Sequence, residues 1–541
     1  MSALILASAE HVSWQVTTLF AIILVGLIAT LALEEKIHAK KSVIAGTFAI
    51  VSLLLATFCG ILSFEQIVVG SYEVVSEDGT FEVDFSETVE IEGEELHEPA
   101  IHLTIGEEQP EDQEQQAGSS EENVEPPDEA DGDPKFPTIH VNGERLRTPV
   151  YIPGVDWSVI AIILGSSLFV DVTSRSGLFS WIAIKVTKAS RGDPLLLLVF
   201  YGFMTVIFSA VLNNVTAMII VGSLTVVSLD KLGRREQLLG FLLIEGLLTN
   251  IGGLLTLISS VPNIIVGTIA DISFISFFIK SAPFVLVSTV ITLAMGSYLF
   301  KIKRLSTEDE KQEAEQLVAG FDENDGVESW GFFQFASMML GLFIVVIATT
   351  SVLPGINKLG MGFVALSFAV LMLWRYKSTV NQFYSAVDWD LLGFFVALFV
   401  VIYVMEHARV LASIGMGLQY VIQDFTAVPP RSLDSVSLLC GSAVFSSVTD
   451  NIPLAAMFGN ILNSLGTPTE SSLWWAVIFG ANLGGNLTPI GSASTLVAVT
   501  IMHKHKVPMS FAGFVKVAFP YAVVQIALAV VYVLVFLPLI S

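Results

Sequence analysis

Two short polar pairs stand inside stretches of the sequence that are otherwise almost entirely apolar. Asp450 and Asn451 interrupt VFSSVTDNIPLAAMFGNIL, and Asn213 and Asn214 occupy a nearly identical position in VIFSAVLNNVTAMIIVG. Polar and ionisable side chains are costly within a bilayer, and where they occur they mark ion or substrate pathways. We therefore predict that both pairs belong to a binding site.

Each polar pair is followed in the sequence by a second apolar stretch that two adjacent glycines interrupt. TNIGGLLTLISSVPN contains Gly252 and Gly253, and ANLGGNLTPIGSAST contains Gly484 and Gly485. These runs predict helix breaks at mid-membrane depth, where non-helical backbone is tolerated only if it lines a cavity or is buried in protein. A broken helix presents free carbonyl groups to cations and a helix N-terminus to anions.

The side chains around the polar pairs and the glycine breaks are rich in oxygen and mostly uncharged, which suits sodium ions bound together with backbone carbonyls. A nearby carboxylate lets a proton compete with the metal ion, and Asp450 is the candidate for that role. The predicted substrate and ion contacts are Asn213, Asn214, Thr216, Asn250, Thr256, Asn263, Asp450, Asn451, Asn482, Asn486, Thr488 and Ser492. In the alternative interpretation, the glycines allow close helix packing and the polar side chains only join helices.

Two further acidic residues, Glu245 and Asp171, are predicted at or near membrane depth. Each would either relay protons or pair with another group at a helix interface, and the sequence leaves both interpretations open. The sequence has no phosphate-binding glycine loop, zinc signature or nucleophile motif, and no basic patch for nucleic acid. We therefore expect no enzyme activity, no cofactor other than a coupling Na⁺ or H⁺, and no nucleic-acid partner.

The composition is that of a multi-pass membrane protein. Of 541 residues, 53% are hydrophobic and 14% charged, and the mean hydropathy is +0.72. Apolar runs at 14–33, 43–62 and 511–537 reach the roughly 20 residues that a helix needs to cross a bilayer. The net charge of −25 has one source, since residues 65–134 hold 24 acidic and no basic side chains.

The sequence also repeats itself. VDWSVIAIILGSSLFV at 155 resembles VDWDLLGFFVALFVV at 387, FSAVLNNVTA at 208 resembles FSSVTDNIPL at 445, and TNIGGLLTLISS at 249 resembles ANLGGNLTPIGS at 481. The offsets are 232, 237 and 232 residues. Three matches in the same order predict a duplicated half. Asp156 and Asp388, in the two VDW copies, are predicted to mark the start of a span.

Basic residues of short loops, which favour the cytoplasmic side, set the predicted topology. The predicted fold class is an all-α polytopic membrane protein with two inverted repeats, each of about five spans plus a re-entrant hairpin, and a small extramembrane β-rich acidic insertion. The predicted segments are 1–64 (first two spans), 65–150 (acidic, non-cytoplasmic insertion with a disordered middle), 151–300 (rest of repeat 1, hairpin 194–229, broken helix 238–267), 301–329 (cytoplasmic linker) and 330–541 (repeat 2, hairpin 433–462, broken helix 473–502).

Within the insertion, residues 80–99 and 137–153 show the alternation of strands, and Asn142-Gly143 predicts a hairpin turn in the second of them. The stretch between them is acidic and of low complexity, which predicts disorder. The insertion is either an appendage without chemistry or a surface that concentrates cations or docks a partner.

The paired motifs carry a resemblance to a known superfamily. FSAVLNNVTAMII, TNIGGLLTLISSVPNIIVG, VTDNIPLAAM and GANLGGNLTPIGSASTLVA resemble the ion transporter superfamily, in particular its branch of arsenite permeases, P protein and NhaD-type antiporters, with citrate and dicarboxylate transporters as more distant relatives. The resemblance implies a homodimer of scaffold and transport domains with elevator-type alternating access. It also implies that residues 213–215 and 450–452 lie at hairpin tips that contact substrate and coupling ions.

The sequence departs from that branch at two places. Asn213-Asn214 stands where P protein relatives usually carry Asp-Asn, and residues 259–263, Ser-Ser-Val-Pro-Asn, stand where they carry Gly-Asp-Pro-Pro-Asn. Two membrane carboxylates that the resemblance implies are therefore replaced by neutral side chains, which favours an anion substrate.

We predict a secondary active ion transporter that works by alternating access, with sodium/proton antiport through Asp450 as the leading activity. The alternatives are an anion permease for an arsenite-like oxyanion or a carboxylate, and a receptor that kept the fold without transport. The expected partners are a small inorganic ion or small anion, membrane lipid and a second copy of the chain. The expected location is the plasma (inner) membrane, with the insertion on the non-cytoplasmic side.

Overall fold

The chain forms two compact units, one of residues 1–62 with 154–541 and one of residues 63–153. The computed structural model describes residues 12–33, 37, 39–62, 66–76, 79–83, 138–147, 154–376, 380–385, 387–449, 451–507 and 509–540. Within these ranges the larger unit consists of helices and their connections, and the smaller unit contains strands. The predicted all-α membrane-protein fold is therefore confirmed for the larger unit.

The helices of the larger unit follow the apolar stretches of the sequence. In chain order they are α1 (Trp14–Ala32), α2 (Lys41–Phe58), α3 (Trp157–Arg175), α4 (Leu178–Ala189), α5 (Pro194–Val211), α6 (Asn214–Lys231), α7 (Leu238–Gly252), α8 (Val261–Ile269), α9 (Phe274–Leu299), α10 (Glu308–Ala319), α11 (Trp330–Ala348), α12 (Ile356–Arg375), α13 (Val380–Tyr384), α14 (Trp389–His407), α15 (Val410–Leu418), α16 (Ser432–Val448), α17 (Asn451–Ser464), α18 (Ser472–Gly484), α19 (Ala493–Lys504), α20 (Phe511–Val531) and α21 (Leu537–Ile540).

The two VDW motifs mark helix starts, as predicted. Asp156 Oδ1 accepts a hydrogen bond from the backbone N–H of Val159 at 3.1 Å, and Asp388 Oδ1 accepts one from that of Leu391 at 2.9 Å. Each carboxylate satisfies one of the N–H groups that a first helical turn leaves free.

Ten helices in the described part of the chain are long and apolar enough to cross a membrane. Helices α5 and α6, with 18 residues each, are among them, whereas α7 with 15 and α18 with 13 are too short. The number of spanning helices agrees with two repeats of about five spans each, but the set of helices differs from the predicted one. The hairpin helices α5 and α6 are long enough to span, whereas α7 and α18 are not, because the glycine breaks end them early. A helix of 18 residues is about 27 Å long, close to the ~30 Å hydrocarbon core, so re-entry of the α5–α6 hairpin stays a prediction.

The smaller unit contains a three-stranded antiparallel sheet in the order β2-β1-β3. Its strands are β1 (Gln66–Ser76), β2 (Gly79–Val83) and β3 (Thr138–Arg147). The predicted hairpin turn at Asn142-Gly143 is wrong: both residues lie inside β3, opposite Ser71 and Gly70. The uninterrupted ladder with β1, which the alternation pattern did not predict, holds β3 extended. The stretch predicted to be disordered lies within 84–137, outside the described residues.

One type of close helix contact occurs in both halves of the larger unit. A Cβ atom on Gly252 of α7 would lie 2.7 Å from Val206 Cα of α5. A Cβ atom on Gly484 of α18 would lie 2.7 Å from Ser446 Cβ of α16 and overlap the carbonyl group of Ala443. Helix backbones approach this closely only where no side chain intervenes. The offsets of 232 and 237 residues found in the sequence therefore recur in the packing.

The linker between the halves, residues 301–329, is tied to α4 by an ionic contact. Glu323 accepts hydrogen bonds from Lys185 Nζ at 2.9 Å and from Lys188 Nζ. These two ammonium groups lower the pKa of the half-buried Glu323 carboxyl group from 4.5 to about 2.

The same linker also contacts the ends of α5 and α6. Asp193 caps α5 by accepting a hydrogen bond from Leu196 N at 3.0 Å, and its second carboxylate oxygen accepts one from Leu305 N of the linker at 3.0 Å. Lys231 Nζ, at the end of α6, lies 3.7 Å from the centre of the Phe321 ring, a favourable cation–π arrangement. The linker therefore joins the ends of three consecutive helices.

We expect Gly484→Ala to lower the unfolding temperature of the detergent-solubilised protein, since the added Cβ would overlap backbone atoms of α16. Overpacking of this kind costs about 1–3 kcal/mol. Gly441→Ala, on α16 itself, is the matched control, because nothing lies within 4 Å of its added Cβ and alanine is the better helix former. Equal unfolding temperatures for the two variants would contradict this packing.

We expect Glu323→Gln to increase amide hydrogen exchange across residues 301–329 at neutral pH, because both lysine contacts lose their charge. Glu328→Gln, an exposed position in the same linker, should leave the exchange unchanged. Because the pKa of Glu323 is lowered, the wild-type contact is complete above about pH 4.5 and is lost as the pH falls toward 2. Wild-type exchange that already rises between pH 7 and 5 would argue against this pair.

Candidate functional site

The first polar pair lies where α5 ends and α6 begins. Leu212 and Asn213 are extended, and the side chain of Asn213 accepts a hydrogen bond from Thr216 N at 2.7 Å, which caps α6. Asn213 is exposed, whereas Asn214 and Thr216 are half-buried. Asn213 and Thr216 therefore form the surface of this tip, and Asn214 points toward the interior.

The second polar pair lies where α16 ends and α17 begins. Thr449 is extended, as Leu212 is, and its N–H donates to Phe445 O at 3.0 Å, the counterpart of the 2.7 Å bond from Leu212 N to Phe208 O. Asn451 is the first residue of α17 and is half-buried. Asp450 lies outside the described residues.

Asn214 connects the first tip to the first break. Its Oδ1 accepts a hydrogen bond from Ser209 Oγ at 2.6 Å, and its Nδ2 donates to Asn250 Oδ1 at 3.4 Å. A Cβ atom on Gly253 would lie 2.9 Å from Asn214 Oδ1, so the second glycine of the pair leaves room for this side chain.

The break between α7 and α8 is held by side chains that bind the freed carbonyl groups. Asn263 Nδ2 donates to Gly253 O at 2.7 Å and to Thr256 O at 3.1 Å. Ser259 Oγ donates to Gly253 O at 2.6 Å. Carbonyls released from a helix in an apolar interior need such partners, so these residues stabilise the break.

Each break is tied to its neighbouring tip by the same two hydrogen bonds. Ser209 Oγ donates to Thr249 O at 2.6 Å, and Ser446 Oγ donates to Ala481 O at 2.5 Å. The second bond of each pair is made by a threonine: Thr256 Oγ1 donates to Ala210 O at 2.6 Å, and Thr488 Oγ1 donates to Ser447 O at 2.5 Å. Tip and break therefore form one assembly in each half.

The two breaks exchange equivalent hydrogen bonds with one another. Ser260 Oγ donates to Asn482 Oδ1 at 2.7 Å, and Ser492 Oγ donates to Asn250 Oδ1 at 2.8 Å. Both serines and both asparagines are related by the 232-residue offset. In such a reciprocal contact, residue i of one half meets residue j of the other and the reverse, which is the pattern of a two-fold relation.

Further amides extend this contact into neighbouring helices. Asn250 Nδ2 donates to Asn486 Oδ1 at 2.8 Å, and Asn486 Nδ2 donates to Gln525 Oε1 of α20 at 2.8 Å. Gln525 Nε2 in turn donates to Thr292 Oγ1 of α9 at 3.0 Å. We call the whole set the amide–hydroxyl network; its members are Asn214, Asn250, Asn263, Asn482, Asn486, Ser260, Ser492, Ser494, Gln525 and Thr292.

The network is buried and carries no formal charge. Four of its asparagines, Asn250, Asn263, Asn482 and Asn486, are at most 1% exposed. A buried amide left without a partner costs about 1–3 kcal/mol, so the mutual hydrogen bonds are what make this many buried amides tolerable. Five helix termini meet at the network. Two are C-terminal ends, which carry partial negative charge (α7 and α18), and three are N-terminal ends, which carry partial positive charge (α6, α8 and α19).

The two candidate proton relays have different surroundings. Asp171 is partly exposed and forms an ion pair at 3.2 Å with Arg175, one turn later on the same helix, so its role as a relay or an interface partner stays a prediction. Glu245 is fully buried; its Oε1 accepts a hydrogen bond from Thr225 Oγ1 at 2.5 Å. Its Oε2 has no hydrogen-bond partner among the described residues.

Several buried polar residues, two of them in the network and one, Asp434, at the far end of α16 from the tip, were missed in the sequence. Gln525 is the single amide in the apolar stretch YAVVQIALAV, which was the available signal for it, whereas Thr292 follows Ser288 and Thr289 in α9 and carries no comparable signal. Asp434, in the first turn of α16, is 1% exposed, and neither of its carboxylate oxygens has a hydrogen-bond partner in the described part of the chain. The described residues contain no group of three or more His, Cys, Asp or Glu side chains placed to hold a metal ion.

Comparison with known proteins agrees with this architecture. Residues 145–480 match the citrate transporter family, CitMHS. The chain is 28% identical over 387 residues to an uncharacterized transporter of Mycobacterium bovis, which covers 70% of this chain and 86% of that protein. It is 30% identical over 386 residues to the 46 kDa membrane protein of Mycobacterium leprae, and that alignment covers 70% of this chain and 86% of that protein. It is 24% identical over 469 residues to P protein of Mus musculus, and that alignment covers 73% of this chain and 56% of P protein. The family match includes both tips and the first break, and the chain therefore belongs to the citrate transporter family of membrane transporters.

Proposed function

We propose that this chain is a secondary active transporter that exchanges sodium ions for protons by alternating access. The observation that supports the proposal is the cluster of oxygen atoms at Asn250. Its Oδ1 is reached by Ser492 Oγ at 2.8 Å, Ser494 Oγ at 3.2 Å and Asn214 Nδ2 at 3.4 Å. Uncharged side-chain oxygens drawn from two helix breaks are typical of sodium sites in transporters.

The arrangement also suits alternating access. The site draws side chains from both halves, and each half joins its own tip to its own break through the paired serine and threonine hydrogen bonds. Movement of one such assembly against the other helices would open the site to one side of the membrane at a time. Two inverted repeats, a homodimer and a plasma-membrane location with the acidic insertion outside belong to the same proposal.

Asp450 is the proposed site at which a proton and a sodium ion compete. The amide–hydroxyl network is neutral, so a bound sodium ion needs a nearby negative charge, and Asp450 stands beside Asn451 at the second tip in sequence. A carboxylate at this place would bind either ion but not both, which links the two fluxes.

A small carboxylate such as citrate is the second candidate substrate. The family match favours it, and so does one feature of the site: α6, α8 and α19 begin at or next to Asn214, Ser260 and Ser492 of the network. Helix N-termini bind anions without basic side chains. Uptake of labelled citrate by wild-type proteoliposomes, without proton release in response to sodium, would favour this candidate over antiport.

We expect Asp450→Asn to abolish sodium-induced proton movement in proteoliposomes that contain a pH-sensitive dye, because the variant loses the group that both ions share. Asp271→Asn is the matched control; Asp271 is exposed and has a φ of 52°, which asparagine tolerates. A wild-type protein that collapses no pH gradient on sodium addition over a wide pH range would refute antiport. Sodium-driven proton flux that persists in Asp450→Asn would instead remove Asp450 from the mechanism.

We expect Ser492→Ala to raise the sodium concentration for half-maximal transport about tenfold, equal to ~1.4 kcal/mol of binding energy. Ser260→Ala is the control, because it removes the equivalent bond in the other half, where Asn482 Oδ1 receives no comparable set of hydroxyl groups. Both variants lose one hydroxyl, so a general effect of helix packing would change the two equally. An equal change in sodium dependence would contradict a site centred on Asn250.

A further inference from the structure

Glu245 is the buried carboxyl group in the described chain that lies closest in sequence to the first break. It is 0% exposed and stands five residues before Asn250 on α7. Thr225 Oγ1 donates to its Oε1 at 2.5 Å, and its Oε2 has no hydrogen-bond partner within the described part of the chain. A buried carboxyl group without a counter-charge is accommodated at far lower cost when it is protonated. The side chain is therefore suited to hold a proton.

Three buried hydroxyl groups lie beyond Thr225, in the direction of the linker. Tyr201 OH of α5 lies 2.7 Å from Ser228 Oγ of α6 and 2.6 Å from Thr187 Oγ1 of α4. Tyr201, Ser228 and Thr187 are each 0% exposed. Thr187 stands one turn before Arg191, whose side chain is 74% exposed. The hydroxyls therefore lead from the exposed end of α4 into the protein.

Thr225, which binds Glu245, and Ser228, which contacts Tyr201, both lie on α6. Thr225 and Ser228 are three residues apart, so their side chains occupy the same face of the helix, about 5–6 Å apart at Cβ. One water molecule between two such hydroxyls bridges them nearly as well as a direct hydrogen bond. The structure shows no direct hydrogen bond between Thr225 and Ser228, so a path from Glu245 to the end of α4 requires one such water molecule at this step.

No charged group neutralises Glu245 from the surrounding helices. In the described chain, α7 packs against α5, α6, α9, α18, α19 and the 3₁₀ turn Arg235–Gln237. None of the titratable or charged side chains on these elements forms a hydrogen bond or an ion pair with Glu245. These side chains are Tyr201 on α5, Asp230 and Lys231 on α6, Lys280 and Tyr298 on α9, His503 and Lys504 on α19, and Arg235 and Glu236 in the turn.

We propose that Glu245 is a proton-binding site of the transport cycle and that Thr225, Ser228, Tyr201 and Thr187 form its proton path to the linker end of α4. The proposal deepens the proposed function, since it rests on transport being coupled to protons. Glu245 would hold the proton on the side of the network where α7 begins, separate from the ion-binding oxygens at Asn250.

The proton balance of this path needs one water molecule between Ser228 and Thr225 and no other reactant. A proton that enters at Thr187 binds to the hydroxyl oxygen as that hydroxyl releases its own proton to Tyr201. The same exchange is repeated at Tyr201, at Ser228, at the bridging water and at Thr225, and Glu245 gains one proton at the end. Release in the opposite direction restores every hydroxyl group, so the net result is one proton moved and no bond otherwise changed.

The first test measures protonation of Glu245 without transport. Infrared difference spectra of the purified protein, recorded between neutral and alkaline pH, should show loss of the C=O stretching band of a protonated carboxylic acid. The band should be absent from Glu245→Gln and retained in Glu236→Gln, an exposed glutamate just before α7. A spectrum of Glu245→Gln identical to that of wild type would overturn the proposal.

The second test keeps Glu245 intact. Tyr201→Phe should slow the appearance of the same band after a rapid pH drop by about 100- to 10,000-fold, the scale of a lost proton-transfer group. Tyr532→Phe, which removes a hydroxyl that donates to Lys280 O, should react at the wild-type rate. A band that titrates equally fast in Tyr201→Phe would remove the hydroxyl path.

The two proposals fail in different ways. If sodium ions move no protons in wild-type proteoliposomes but the Glu245 band titrates, proton-coupled sodium exchange is wrong and Glu245 still binds a proton. If wild-type exchange is present and Glu245→Gln exchanges with an unchanged pH dependence, the exchange stands and Glu245 has no part in it.

Discussion

The structure depends on one constraint, which is that two helices are broken inside an apolar unit. Beyond Gly252 and Gly484 the backbone carbonyls have no helical partners, and in a bilayer interior no solvent replaces them. The side chains that satisfy them come from the same break and from the adjoining tip. The polar residues at the site lie where they do because the freed carbonyls require hydrogen-bond donors. The oxygen cluster at Asn250 results from the same requirement.

Much of this arrangement is readable in the sequence because duplication leaves a constant offset. The 232-residue offset joins Ser260 to Ser492 and Asn250 to Asn482, and the structure places these four residues in reciprocal contact. The larger offset of 237 at the tips has a physical origin: α6 has 18 residues and α17 has 14, so the second half reaches its break sooner after its tip. All-α architecture and the break positions were therefore predictable from pattern alone.

The remaining features depend on contacts between distant parts of the chain, which periodicity does not encode. Gln525 binds Asn486 only because α20 packs beside α18. Asn142-Gly143 has the composition of a tight turn, yet pairing with β1 keeps it extended. The hydroxyls of Tyr201 and Ser228 lie on two helices that turn back on each other, and their meeting at 2.7 Å has no signature in either segment.

The linker gives this fold an accessible point of observation. Because Glu323, Leu305 and Phe321 contact the ends of α4, α5 and α6, any displacement of these helix ends is carried into residues 301–329. Glu308 and Asp309 of helix α10, in the same linker, are exposed side chains. A fluorophore or spin label attached there would follow the motion of buried helices from the protein surface, without a probe in the membrane or near the bound ion.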